Sequence, residues 1–313
     1  MKARERVRAT LAGAAVDRPP LCLWHHFRPQ GSPAALADAT LAFFGGLDFD
    51  LFKIMPDLPY PAPPDGTICA PEGWLALPRL GVEAGEPLGG MAEAVALVRR
   101  ARPEAVVLAT VFSPLALALR FSAGAEGLSR LAGRDASALH HGLGILADNV
   151  GAACAACLRA GADGIYFATA GLGDGMLEAD AYQAFGRPYD LRALRRCEGG
   201  WCNVVHLHGA SALHWRWAAD YPVPVVSWSD RRTGVPLAEV AHALPGRTVM
   251  GGLDETGALV RGDQAALAAE MHDAVRQTGG RRLILAGGCS VPDDTPDAHL
   301  RMARALVDEA WAP

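Results

Sequence analysis

Hydrophobic residues gather in short runs, several of them β-branched, at 21–24, 51–55, 105–111, 164–168, 203–207, 223–227, 248–253 and 283–286. Such runs have the length of strands rather than of buried helices. Between most of them apolar positions recur at helical spacing, at 33–44, 91–101, 125–160, 179–196, 210–219, 236–243 and 264–278, and a last such segment spans 296–312. Strands alternating with helices predict a parallel sheet with right-handed crossovers. Eight such units in 313 residues predict an α/β fold of the (β/α)8 barrel class rather than an open doubly wound sheet. No G-x-G-x-x-G follows the first strand, which speaks against a dinucleotide fold. A helical segment at 3–14 precedes the first strand and is expected to cap the bottom of the barrel. No linker or low-complexity stretch interrupts the pattern, so 1–313 reads as a single domain. The Pro- and Gly-rich stretch 57–88 is long for a connection and predicts a lid or rim loop.

Composition narrows the function classes. Half of the chain is hydrophobic and the formal charge is −5, which argues against nucleic acid or an anionic membrane as partner. No apolar run approaches the roughly 18 residues of a spanning helix. Lys2, Arg4, Arg6 and Arg8 ahead of an apolar stretch resemble a short signal peptide. That stretch is brief and is followed at once by Asp17-Arg-Pro-Pro20, so an amphipathic helix is expected instead. Seven scattered cysteines suit a reducing cytoplasm rather than a disulfide framework. Cys154 and Cys157 form a lone CxxC inside a helical segment and read as small buried residues.

In barrels of this type chemistry sits at the C-terminal ends of the strands. The predicted ends carry His25 and His26, Asp57, Thr110 and Ser113, Tyr166 and Thr169, His206 and His208, Trp228 and Asp230, Asp254, and Cys289. In Cys202-Asn-Val-Val-His-Leu-His-Gly209 the two histidines alternate along one strand and point the same way. Cys289 follows Gly287-Gly288 at the end of the last strand. His206, His208 and Cys289 together make a three-ligand zinc set with one position open for chemistry. His25 and His26 are adjacent and must diverge, so one of them is expected to face the cleft. Asp57, Tyr166 and Asp254 are candidate catalytic residues, although Asp254 and Asp230 are equally suited to capping helices. The glycine cluster at 171–175 is a weak match to a phosphate cradle.

Several segments resemble the uroporphyrinogen decarboxylase superfamily: Arg4-Glu-Arg-Val-Arg-Ala-Thr-Leu-Ala-Gly13 with Val16-Asp-Arg-Pro-Pro20, Gly161-Ala-Asp-Gly-Ile-Tyr-Phe-Ala-Thr169, Gly251-Gly-Leu-Asp254 and Gly288-Cys-Ser-Val-Pro-Asp-Asp-Thr-Pro296. The resemblance runs over nearly the whole chain and implies a (β/α)8 barrel. True decarboxylases of this superfamily hold a polycarboxylate tetrapyrrole with arginines in a Met-Arg-Gln-Ala-Gly-Arg stretch after the first strand. Here that stretch reads Trp24-His-His-Phe-Arg-Pro29, with Arg28 nearby but neither arginine in its place. A second branch transfers methyl groups from a corrinoid protein to a thiol. It binds zinc through His-x-Cys on one strand and Cys on the last. His206 and Cys289 match that pattern, and His208 stands where the branch has cysteine. The exchange keeps a ligand but replaces a thiolate with a neutral imidazole.

The favoured reading is zinc-dependent methyl or alkyl transfer to a small-molecule thiol. The donor would be a small molecule or a corrinoid on a separate protein, because no corrinoid-binding domain is fused to this chain. Asp254 or Asp57 would orient a ligand histidine. The alternative is a cofactor-free lyase acting on a small carboxylic acid, with Asp57 stabilising a developing cation, Tyr166 lining the cleft, and His208 or His25 relaying protons. Two further readings are a non-catalytic barrel that binds a corrinoid or tetrapyrrole, and a metal-dependent hydrolase built on His-x-His.

Overall fold

A computed structural model of the protein describes residues 1–27, 31–63, 66–173, 175–209 and 211–310. Arg28, and Asp174 of the glycine cluster, lie outside the described residues.

Eight parallel strands form one sheet: β1 (Leu21–Cys22), β2 (Leu51–Ile54), β3 (Val106–Phe112), β4 (Gly164–Thr169), β5 (Val204–Leu207), β6 (Val225–Trp228), β7 (Thr248–Leu253) and β8 (Leu283–Gly287). Neighbours in sequence are neighbours in space, and β1 pairs with β8, so the sheet curls into a (β/α)8 barrel. No strand ladder joins β1 to β2. Asp50 bridges them instead: its N–H donates to the Leu21 carbonyl at 3.0 Å, and its carboxylate accepts from the Leu21 N–H at 2.9 Å. Its charge is balanced by Arg6 and Arg18, all three being buried.

Around the sheet lie α1 (Ala3–Ala12), α2 (Pro33–Leu47), α3 (Pro71–Leu75), α4 (Gly90–Ala101), α5 (Pro114–Phe121), α6 (Ala125–Arg159), α7 (Ala179–Phe185), α8 (Arg187–Leu194), α9 (Asp230–Thr233), α10 (Leu237–Ala243), α11 (Ala258–Arg261), α12 (Gln264–Thr278) and α13 (Asp297–Ala310). Helix α1 caps the N-terminal ends of the strands. There Arg4 donates to Asp163 just ahead of β4 and to the Ala105 carbonyl just ahead of β3. Arg4 and Arg6 of the basic N-terminus are thus committed to ion pairs, and Arg8 lies over the Trp201 ring.

Helix α6 is long and apolar enough to cross a membrane by composition, but most of its apolar face is buried in the protein core. It bends at Asp135, whose carboxylate accepts from the Ala138 N–H at 3.0 Å and restarts the helix. Cys154 and Cys157 are buried on it as free thiols.

The pattern misled in three places. Among the described residues of the segment 210–219 the regular structure is a 3₁₀ turn, Trp215–Ala218, with the His214 ring stacked on Trp217. The segment 179–196 is broken at Gly186, and Pro188 opens the second helix. Helix α5 was not foreseen, although Ser113 caps it and Pro114 opens it. The stretch 57–88 contains α3, whose Trp74 is buried against Gly142 of α6. Leu80 and Arg79 also bond to Asn149 and Asp148 of that helix, so this rim segment is tied down.

Candidate active site

His206 of β5, His208 just beyond its end, and the turn after β8 meet at the C-terminal mouth of the barrel. The ligand atoms of His206, His208 and Cys289 all lie within 4.8 Å of one another. His206 is buried, Cys289 half-buried and His208 exposed, so the trio runs from the barrel interior to its rim. Cys289 Sγ lies 3.9 Å from His208 Nδ1.

Local packing explains why the thiol arrives there. Gly287 and Gly288 let the chain pass over the ends of β6 and β7. A Cβ on Gly288 would lie 2.2 Å from Ser229 Cα, and one on Gly287 would lie 3.3 Å from Glu255 Cβ.

His206 is held from three sides. It pairs in register with Ala168 and Ser227, and its carbonyl accepts from Thr169 Oγ1 at 3.0 Å. Its ring stacks on Tyr166 with centroids 5.4 Å apart. Its Nδ1 lies 3.4 Å from Ser227 Oγ, which also bonds the Tyr166 hydroxyl at 3.1 Å. That chain occupies one ring nitrogen and leaves Nε2 buried with no hydrogen-bond partner in the structure. Burial lowers the pKa of both histidines; contact with Cys289 opposes this at His206, and the Glu255 charge opposes it at His208. Burial pushes the Cys289 thiol up, but contact with His206 outweighs it and leaves the thiol below its usual range.

An orphaned imidazole nitrogen, a second imidazole and an acidified thiol make a donor set that suits zinc. They open into a cavity of about 280 Å³. Its walls include Trp24, Lys53, Met55, Phe112 and Tyr166.

The chain matches the family model for uroporphyrinogen decarboxylase (URO-D) over residues 55–310. It belongs to the uroporphyrinogen decarboxylase family. Among solved structures, a methyltransferase from Methanosarcina mazei shares the fold with a TM-score of 0.78, at 17% identity over 100% of both chains. A B12-independent methionine synthase from Shewanella sp. W3-18-1, in complex with selenomethionine, has a TM-score of 0.58 at 12% identity, covering 96% of this chain and 97% of that one. At such identities the likeness is one of fold. No curated protein matches the sequence.

Other expected site residues of this URO-D family member fall differently. Tyr166 is buried in the cavity wall. His25 does not line the cavity: its ring packs edge-on against Phe27 and Phe43, while His26 lines it. The backbone must send two adjacent side chains to opposite sides, and the aromatic cluster takes the first. Asp57 accepts from Phe27 N–H at 2.7 Å and pairs with His26 Nδ1 at 2.5 Å. It faces a second, open cleft shared with His25, Asp293 and Asp294. Burial works to raise its pKa, but the bonds to His26 and Phe27 prevail and hold it below the usual carboxylate range.

Asp254 orients no histidine, because its carboxylate closes a turn with the Thr256 N–H and hydroxyl. Asp230 accepts from the Gly252 N–H at 2.8 Å and sits outside the cavity lining.

Two residues near the site were not anticipated. Lys53 is an ammonium inside an apolar strand. Its position in the run 51–55 already marks it as a charge facing the barrel interior, because Leu51, Lys53 and Met55 share one face. Glu255 is buried beside the Cys289 turn, accepts from Ser229 Oγ at 2.8 Å, and keeps its other oxygen unpartnered. Only its place next to Asp254 at a strand end could have flagged it.

Proposed function

We propose that this protein transfers a methyl or other alkyl group to a small-molecule thiol, using zinc held by His206, His208 and Cys289. The observation that carries this reading is the convergence of those three donors, within 4.8 Å, beside a cavity of about 280 Å³. Zinc bound there would keep a substrate thiol deprotonated near neutral pH, and the thiolate is the nucleophilic form.

The remaining work falls to the chain. Ser227 and Tyr166 fix the His206 ring so that Nε2 faces the trio. Trp24, Phe112 and Tyr166 supply apolar walls that limit water around the acceptor sulfur. The methyltransferase and methionine synthase structures share this barrel and lend the reading support by analogy of fold. The alkyl donor is a small molecule or a corrinoid carried by a separate protein.

A cofactor-free lyase acting on a small acid is the second reading, and Asp57 weighs against it. That carboxylate is already engaged by His26 and Phe27 and opens to the other cleft. Metal analysis of the purified protein tests the proposal. The expected result is one zinc per chain, lost in His206→Ala, together with thiol alkylation that stops on chelation. A metal-free protein, or carbon dioxide release from a carboxylic acid that survives chelation, overturns it.

A further inference from the structure

Lys53 is a buried charged residue of the cavity wall to which the proposed chemistry gives no role. Its side chain is 1% exposed. Its Nζ lies 4.3 Å from the centroid of the Tyr166 ring and 4.7 Å from that of Trp24, two rings packed edge to face at 5.5 Å. Its hydrogen-bond partner is Met55 Sδ at 3.2 Å, a weak acceptor. Among the described residues it makes no ion pair, and Asp57, paired with His26, acts on it only at longer range. Burial lowers its pKa to about 8, while Cys22, Cys289 and Asp57 work to raise it from a distance. A buried ammonium is costly unless an anion answers it. Two aromatic faces offset only part of that cost.

The same cavity holds a second unanswered group. Thr110 pairs in register with Tyr166 on the neighbouring strand, lines the cavity, and keeps its buried hydroxyl without a partner. At the cavity margin Arg120, from α5, is exposed and has no carboxylate partner among the described residues. A buried cation, an orphaned hydroxyl and a rim cation thus share one small cavity with the three candidate metal donors.

We infer that Lys53 is a specificity-determining residue that binds the anionic end of the substrate, with Thr110 donating a hydrogen bond to the same group and Arg120 drawing the anion in. The substrate class is a small monocarboxylate, short enough for a cavity of about 280 Å³ to hold both its charged end and its reacting end. The inference rests on this cavity being the active site and not on the proposed zinc.

The test compares two thiols of equal length, 3-mercaptopropionate and 3-mercapto-1-propanol, by calorimetric titration of the zinc-loaded protein. Propionate, which has no thiol, is titrated against the chelated protein. The charged thiol is expected to bind about tenfold or more tightly than the alcohol, as one charge-assisted hydrogen bond implies. Lys53→Met removes that preference and abolishes propionate binding, with zinc content unchanged. Its melting temperature stays equal or rises, because a hydrophobic side chain of similar volume replaces a buried charge. Arg120→Gln weakens both anions by a smaller factor.

Should Lys53→Met fail to fold, Lys53→Gln is titrated in its place. Equal binding of the two thiols by the unaltered protein overturns the inference, as does a carboxylate preference that survives the Lys53 change. Propionate binding that depends on Lys53 in a protein without zinc upholds this inference while the metal reading fails. Zinc binding without any anion preference does the reverse.

Discussion

Cys289 Sγ and His208 Nδ1 lie 3.9 Å apart although 81 residues separate them in the chain. The contact depends on how closely the β8 turn can approach β6. Gly288→Ala would place a Cβ 2.2 Å from Ser229 Cα, a backbone atom that cannot swing aside. The turn must move, and with it the sulfur. We expect a loss of about 1–3 kcal/mol in stability, the usual cost of overpacking, and a fall in zinc affinity beyond that of a control. Gly199→Ala serves as the control, since a Cβ there meets nothing within 4 Å. Equal zinc affinity in the two variants would show that the turn does not set the site.

Ser227 is the shared partner of His206 and Tyr166. Ser227→Ala leaves the imidazole free to rotate and strands the buried phenol. Loss of such a supporting hydrogen bond typically weakens metal binding by about 10–100-fold, and the unpaired hydroxyl costs about 1–3 kcal/mol. Chelator competition and urea unfolding measure the two effects separately. An unchanged chelator curve would mean that the 3.4 Å contact carries no weight.

His208 can be exchanged for the residue of the methyltransferase branch. His208→Cys gives the ion a second thiolate in place of a neutral ring. Softer, charged ligation is expected to tighten zinc by about tenfold and to make a coordinated substrate thiol less acidic. The pH profile of thiol alkylation should then shift upward. Weaker zinc binding in this variant would place His208 outside the ligand set.

The barrel was legible because its strands are buried on both faces over most of their length and therefore appear as mainly apolar runs. The cluster of His206, His208 and Cys289 was legible for a related reason: polar side chains stand out at the ends of such runs. What escaped was decided by contacts distant in sequence. Nothing local says that Phe43 would draw His25 away and leave His26 on the cavity. Nor does Asp57 announce that His26 and Phe27 would occupy it. Lys53 was overlooked because it lies inside an apolar run, where only its alternation with Leu51 and Met55 shows which way it points. The apolar spacing at 210–219 reads as a helix, yet there the described chain holds a 3₁₀ turn at Trp215–Ala218, with His214 stacked on Trp217 at 4.4 Å between centroids.

Away from the site, Asp190 makes a prediction about pH. It is fully buried, and burial raises its pKa to about 7 despite the Tyr221 hydroxyl that donates to it at 2.9 Å. The unfolded chain releases this proton near pH 4. Between about pH 4 and 7 the folded state therefore holds a proton that the unfolded state has lost, and rising pH favours unfolding. Stability should fall through this window, by up to about 4 kcal/mol from this group alone, and level off above it. Asp230, raised by burial to about 6, acts in the same direction, so the comparison must be made against a variant. Asp190→Asn keeps the shape and an acceptor for Tyr221 but cannot ionise. Its urea midpoint should depend less on pH than that of the unaltered protein, the gap widening from pH 4.5 to 7.5 in favour of the variant. Parallel curves for the two proteins would mean that Asp190 is ionised in the folded state throughout, with Tyr182 and Tyr221, whose hydroxyls lie 2.6 Å apart, solvating its charge.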